Sequence, residues 1–180
     1  MLIKISIKAK PTGFTVIELL LALVVLGVLV GLGMPSFIQM LRNAETRAAA
    51  ESVANGMQRA RAEAVSRNAK MQFVLGSGTS WTVDYVTKPV PTDPPIDTRS
   101  SNDSSNATVL SALASDATAA TTITFNQLGQ VIANADASKS LAQVNIGTSG
   151  GNQSLRVTIG AGGSAKVCNP AYSAPHLLAC

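Results

Sequence analysis

Charge, aromatic rings and histidine are all scarce in this sequence. Charged residues occupy 13% of the 180 positions, about half the usual share. Aromatic residues occupy 4%, which points to a small core in a secreted or surface-exposed domain rather than a large-cored enzyme. One histidine and two cysteines supply no zinc ligand set, and His176 reads as a surface residue with no nucleophile to serve. No Gly-x-Ser-x-Gly segment occurs. The glycine-rich stretch at 160–166 has the wrong spacing for a phosphate loop and reads as a hairpin. These absences predict a non-enzymatic chain with no cofactor and no metal.

Apolar length, by contrast, is plentiful at one place. Residues 14–34 number 21, enough at about 1.5 Å per residue to cross a bilayer core. Lys4, Lys8 and Lys10 precede the run, so the positive-inside rule places that end in the cytoplasm and the rest of the chain outside. An ordinary secretory signal would place small residues and a cleavage site after the apolar run; Gly31 to Ser36 read poorly as one. The small residue at a boundary is Gly13, ahead of the run. Cutting there removes the basic leader and keeps the membrane segment. It also removes most of the formal charge of +4: without the three leader lysines, 11 basic residues face 10 acidic ones, a net of +1.

Glu18 is the acid at the edge of this run. A carboxylate in hydrocarbon costs about 2.5–3.5 kcal/mol, so it demands a partner. Cleavage after Gly13 creates a cationic amine on Phe14, one helical turn from Glu18. Glu18 can complement the positive end of its own helix or meet the amine of a neighbouring chain. Gly27 and Gly31 form a G-x-x-x-G within the run, either a packing device or ordinary glycine enrichment.

The stretch Lys8-Ala9-Lys10-Pro11-Thr12-Gly13-Phe14-Thr15-Val16-Ile17-Glu18-Leu19-Leu20 resembles the class III signal of type IV prepilins. The resemblance implies that a prepilin peptidase cuts after Gly13 and N-methylates Phe14. It implies that Glu18 supports docking into a filament and that Pro35 is the proline that kinks the first helix. The domains expected are a leader at 1–13, a transmembrane and assembly half of the helix at 14–35, and a periplasmic globular domain at 36–180.

Beyond Pro35 the apolar residues Phe37, Leu41, Ala44, Ala48, Val53, Met57, Ala60 and Ala64 recur mostly at three- and four-residue spacing, predicting a helix that continues to about Asn68 with Gly56 as a weak point. Along it Arg42, Arg47, Arg59, Arg61, Arg67 and Lys70 outnumber Glu45, Glu51 and Glu63, the pattern of a solvated face. Alternating patterns and glycine punctuation predict strands at 71–75, 81–86, 122–126, 131–133, 142–146, 155–159 and 164–167, while 87–121 reads as a long irregular segment. The fold class expected is α+β, one long helix packed on a mostly antiparallel sheet.

Ile123-Thr124-Phe125-Asn126-Gln127-Leu128-Gly129-Gln130, the strand at 155–159 and the segment 163–168 resemble elements of the minor-pilin and pseudopilin family typified by GspH, FimT and FimU. The resemblance implies a minor pilin near the tip of a type IV pilus, with other major and minor pilins as partners. The alternatives it leaves are a GspH-like pseudopilin of a type II secretion system and a FimT-like DNA-capturing pilin, with the terminal cysteine loop leaning toward a pilus. DNA is the less favoured partner. The basic Gly-Arg-x-Arg element of FimT-like proteins stands here as Gly163-Ser164-Ala165-Lys166, leaving Lys166 and Arg156 as the candidate, weak contacts. The expected location is the bacterial inner membrane, with the C-terminal domain in the periplasm, before incorporation at a filament tip. In that oxidising compartment Cys168 and Cys180 are expected to form a disulfide, contributing about 3 kcal/mol in the chain-entropy picture.

Overall fold

The computed structural model describes residues 13–100 and 107–180; the basic leader lies outside the described residues. The chain divides into two units, one ending at Ile38 and one running from Gln39 to Cys180. A single helix, α1 (Val16–Ser66), contributes to both.

Local chemistry sets both ends of α1. Thr15 is its N-cap, and its Oγ1 accepts the N–H of Glu18 at 3.3 Å. At the other end Asn68 adopts a positive φ of 49°. The Asn68 N–H is donated to the Val65 carbonyl and the Ala69 N–H to the Ala64 carbonyl, the pairing of a Schellman stop. Asparagine tolerates that left-handed position. Pro35 lies inside α1, where it has no N–H to donate to the carbonyl four residues earlier.

Among the described residues the globular unit holds nine strands: β1 (Met71–Leu75), β2 (Trp81–Tyr85), β3 (Asp97–Arg99), β4 (Ala107–Leu113), β5 (Thr122–Phe125), β6 (Val131–Ile132), β7 (Gln143–Thr148), β8 (Ser154–Ile159) and β9 (Ala165–Cys168). They form two antiparallel sheets, ordered β3-β2-β1-β5-β6 and β4-β7-β8-β9. The architecture is α+β. The segment 87–121, read from sequence as irregular, contributes β3 and β4 to the sheet edges. The register of β4 against β7 slips between Val109 and Ser111. That bulge interrupts the period-two alternation by which a strand is read from sequence.

The core lies between α1 and the inward faces of the sheets. Small residues form the helix stripe: Ala49, Ala50, Val53, Met57, Ala60 and Ala64 are all buried. Against them pack Phe73, Val83, Ile123 and Phe125 from the first sheet and Val144, Ile146 and Val157 from the second. Phe73 stands opposite both Val83 and Ile123 in register, at the centre of its sheet. Gly56 is a contact point rather than a weak point. A Cβ there would lie 2.8 Å from the rings of both Phe73 and Trp81, and the Trp81 indole N–H is donated to Ser52 Oγ at 3.0 Å, four residues earlier on α1. The approach of helix backbone to indole needs a residue with no side chain.

Candidate functional site

The first candidate is the N-terminal assembly segment. Gly13 has no neighbour within 4 Å of where a Cβ would sit, and Phe14 is 83% exposed. Glu18 lies in the first turn of α1. The spacing Thr15-x-x-Glu18 is that of a capping box, a signal present in the sequence and missed in reading it. The bond seen is the backbone half of that motif, Glu18 N–H to Thr15 Oγ1; a carboxylate in the first turn also suits the positive end of the helix. From Phe14 to Met40 every residue is exposed, including Leu, Val, Ile and Phe side chains. Within the described residues one helix is long and apolar enough to cross a membrane. In water such a surface would be a severe liability.

The second candidate is the cationic pair. Arg156 of β8 and Lys166 of β9 are brought onto one outward face, because Thr158 is paired with Lys166 and Arg156 with Cys168. That makes them diagonal neighbours. Arg156 is nonetheless engaged: its Nε donates to Asn145 Oδ1 at 2.7 Å, and Asn145 Nδ2 donates to Ser111 Oγ at 2.7 Å. A polar ladder across β4, β7 and β8 results.

The cations of α1, read as a solvated face, are largely consumed by the fold. Arg59 and Arg67 both pair with the buried carboxylate of Glu63, one turn away on either side. Arg67 also donates to Tyr85 Oη at 3.0 Å. Its guanidinium is held above the ordinary arginine pKa, first by the hydrogen bond to Glu63 and then by that to Tyr85. Arg61 Nε donates to the Gly129 carbonyl at 3.1 Å, and Arg42 Nη1 to the Gly150 carbonyl at 2.7 Å. These bonds fasten the helix to the β2, β5–β6 and β7–β8 regions.

Cys168 and Cys180 are joined by a disulfide. It closes a tail with its own hydrogen bonds: the Asn169 N–H to the Leu178 carbonyl at 2.7 Å, and the Leu178 N–H to His176 Nδ1 at 3.1 Å. His176 is exposed and packs against the Tyr172 ring, centroids 4.1 Å apart. Among the described residues no group of three or more His, Cys, Asp or Glu is placed to hold a metal ion.

Comparison with known proteins returns two family models. One, described as Type II transport protein GspH, matches residues 49–166. The other, a prokaryotic N-terminal methylation motif, matches residues 8–34. No curated protein matches at a significant level. Among solved structures, the type IV minor pilin FimU of Pseudomonas aeruginosa strain PAO1 is similar at 17% identity, with a TM-score of 0.53, covering 74% of this chain and 95% of that one. A second crystal form of FimU gives 18% identity, 72% and 97% coverage, and a TM-score of 0.49. At this identity the first likeness establishes a shared pilin-like fold.

Proposed function

The chain belongs to the Type II transport protein GspH family, and from that premise we propose that it is a minor-pilin-like, non-catalytic filament subunit that supports assembly of a type IV pilus near its tip. One observation carries the reading. A prepilin-type methylation motif at 8–34 coincides with a helical stretch whose large apolar side chains are all exposed in the single chain. Lipid before assembly, and the equivalent helices of neighbouring subunits after it, are the media that cover such a surface.

In this reading residues 1–13 are a leader, 14–35 the membrane and assembly half of the helix, and 36–180 the globular domain outside the inner membrane. The partners are a prepilin peptidase acting at Gly13 and Phe14, and other major and minor pilins. Glu18 pairs with the Phe14 amine of its own or an adjacent chain, and Pro35 marks the change between the two halves of the helix.

A second reading, a pseudopilin of a type II secretion system, is favoured by the description of the matched family. Deleting the gene separates the two: loss of surface pili supports the first, loss of protein secretion with normal pili the second. The DNA-capturing reading has less support, since Arg156 is tied to Asn145 and one or two phosphate contacts give only weak binding. The processing step is tested by N-terminal mass spectrometry of membrane-extracted protein. Residues 1–13 should be missing and Phe14 methylated. Intact Met1 in cells with an active prepilin peptidase would overturn the proposal.

A further inference from the structure

Three separated segments of the globular unit line an open cavity of about 340 Å³. They are α1 at Asn43, the start of β8 with the turn before it, and the disulfide-closed tail. Asn43, Asn152, Gln153, Ser154, Asn169 and Tyr172 line it, and no lining side chain is charged. The volume is at the lower end of ligand pockets, roughly 300–1,000 Å³.

The polar groups here are largely unspent. Among the described residues no side-chain hydrogen bond engages Asn152, Gln153 or Ser154. Asn43 Oδ1 is buried and has no partner, a condition rare enough in folded proteins to require an explanation. The amide's final torsion is broad, so a flip that exchanges its oxygen and nitrogen ends is open to Asn43, a lining residue. The walls are fixed. Arg42 holds Gly150, and Thr46 Oγ1 meets Thr148 Oγ1 at 2.7 Å, which secures the β7–β8 turn. The disulfide and the Asn169–Leu178 bond secure the tail. Tyr172 is 42% exposed and is backed by the His176 ring, which limits its motion.

We propose that this cavity binds a neutral saccharide. Carboxamides both donate and accept hydrogen bonds, as do the hydroxyl and acetamido groups of a sugar. A pyranose ring also has an apolar C–H face that suits an exposed tyrosine. The absence of charge argues against a phosphate or carboxylate ligand. The cavity's own lining carries neither the apolar stripe nor the charged cluster usual in peptide recognition; those lie in the adjoining groove, at Arg47, Glu51, Leu155 and Leu178.

The test is calorimetric titration of the full chain, extracted in a zwitterionic detergent with no sugar headgroup. The probes are N-acetylated chitotetraose, maltotetraose and a neutral tetrapeptide. Saturable binding of either sugar is expected. The two sugars distinguish an acetamido-bearing glycan from a plain hydroxylated one. Affinity should change less than about two-fold between roughly 0.05 and 0.5 M salt, because no charge is screened. Tyr172→Ala, and separately Asn152→Ala with Gln153→Ala, should each weaken binding about 10-fold, whereas Tyr172→Phe should keep it by retaining the ring. Unchanged melting temperatures show that the variants remain folded. Failure of both sugars to saturate would overturn the proposal. So would binding that survives both alanine variants, or tetrapeptide binding of equal strength and equal sensitivity to them.

Discussion

The stretches of α1 before and after Gln39 carry opposite kinds of apolar surface on one continuous helix. The first is built from large side chains and keeps them all exposed, Leu19 at 57% and Leu32 at 76%. The second is built from alanines with Val53 and Met57, buried to between 0 and 1% at Ala49, Ala50 and Ala60. Apolarity alone therefore does not report where a core lies. Residue size does better. Small side chains let two sheets approach the helix closely, and large ones with nothing to touch inside the chain are shaped for a medium outside it. The glycines divide the same way: Gly27, Gly31 and Gly33 have open space around them, while Gly56 is crowded by two rings. So do the acids, Glu18 exposed in the first turn of α1 and Glu63 buried between two arginines.

Glu18→Val should break the comparison most visibly. Removing the carboxylate makes the apolar half uniformly apolar, so membrane insertion should be unchanged or easier. Filament incorporation should fall about 10-fold or more, a loss equivalent to one good charge-assisted contact. The melting temperature of the globular unit should not move. Normal assembly of this variant, measured by subunit content of sheared filaments, would show that the Glu18 carboxylate has no part in assembly.

The glycines should show the next largest difference. Gly56→Ala gains about 1 kcal/mol of helix propensity but drives a methyl group into Phe73 and Trp81, and overpacking costs about 1–3 kcal/mol. A net loss of about 1–2 kcal/mol is expected, read as a lower denaturation midpoint with an unchanged slope. Gly31→Ala meets nothing and should leave that midpoint unaltered. Equal effects from the two would mean that the tight helix–ring approach at Gly56 is not a constraint.

Much of this was legible in the sequence, and the parts that were not share a cause. The helix declared itself by three- and four-residue spacing, and β1 by an alternation that buries Met71, Phe73 and Leu75. The prepilin-type segment is local, so it could be read directly. Strand β4 could not, because its bulge breaks the alternation, and β3 could not, because three residues carry no period. The division into two sheets was hidden because β4 pairs with β7, a choice made across the intervening β5 and β6. The cavity was invisible for the same reason: Asn43, Asn152 and Asn169 meet only after the chain has folded. Arg42 and Arg61 looked free because their partners, Gly150 and Gly129, offer backbone carbonyls that no side-chain pattern announces.

A smaller effect is expected from the second acid. Glu63→Gln keeps the shape and removes the charge that Arg59 and Arg67 share. Both arginine side chains remain about half exposed, at 54% and 44%, so water can recover them. The loss should be about 1 kcal/mol rather than the several that a fully buried pair would cost. Thermal melting of the variant in detergent checks it. Filament incorporation should follow only the fraction folded, in contrast to Glu18→Val. A loss of assembly without a loss of stability would place Glu63 on a subunit contact and erase the distinction between the two acids.

The smallest effect concerns Asp116, an exposed carboxylate in the turn after β4. The Thr118 hydroxyl, then Lys139 at 3.0 Å and the Thr118 N–H, hold its pKa down from the ordinary 3.8 to about 2. Because the folded value is the lower one, the charged form is favoured more in the native state than in the unfolded chain. Its stabilising contribution is complete above pH ~4 and disappears as the pH falls through about 2. Carbon-detected NMR of the Asp116 carboxyl should show a midpoint near 2. Denaturant midpoints compared with Asp116→Asn should differ slightly at neutral pH and converge at the acid end. Glu18→Val should keep the wild-type acid profile, since this carboxylate belongs to the globular unit alone. If Asp116→Asn shows the same acid dependence as the parent, the turn contributes nothing to acid sensitivity and its hydrogen bonds are as strong in the unfolded chain.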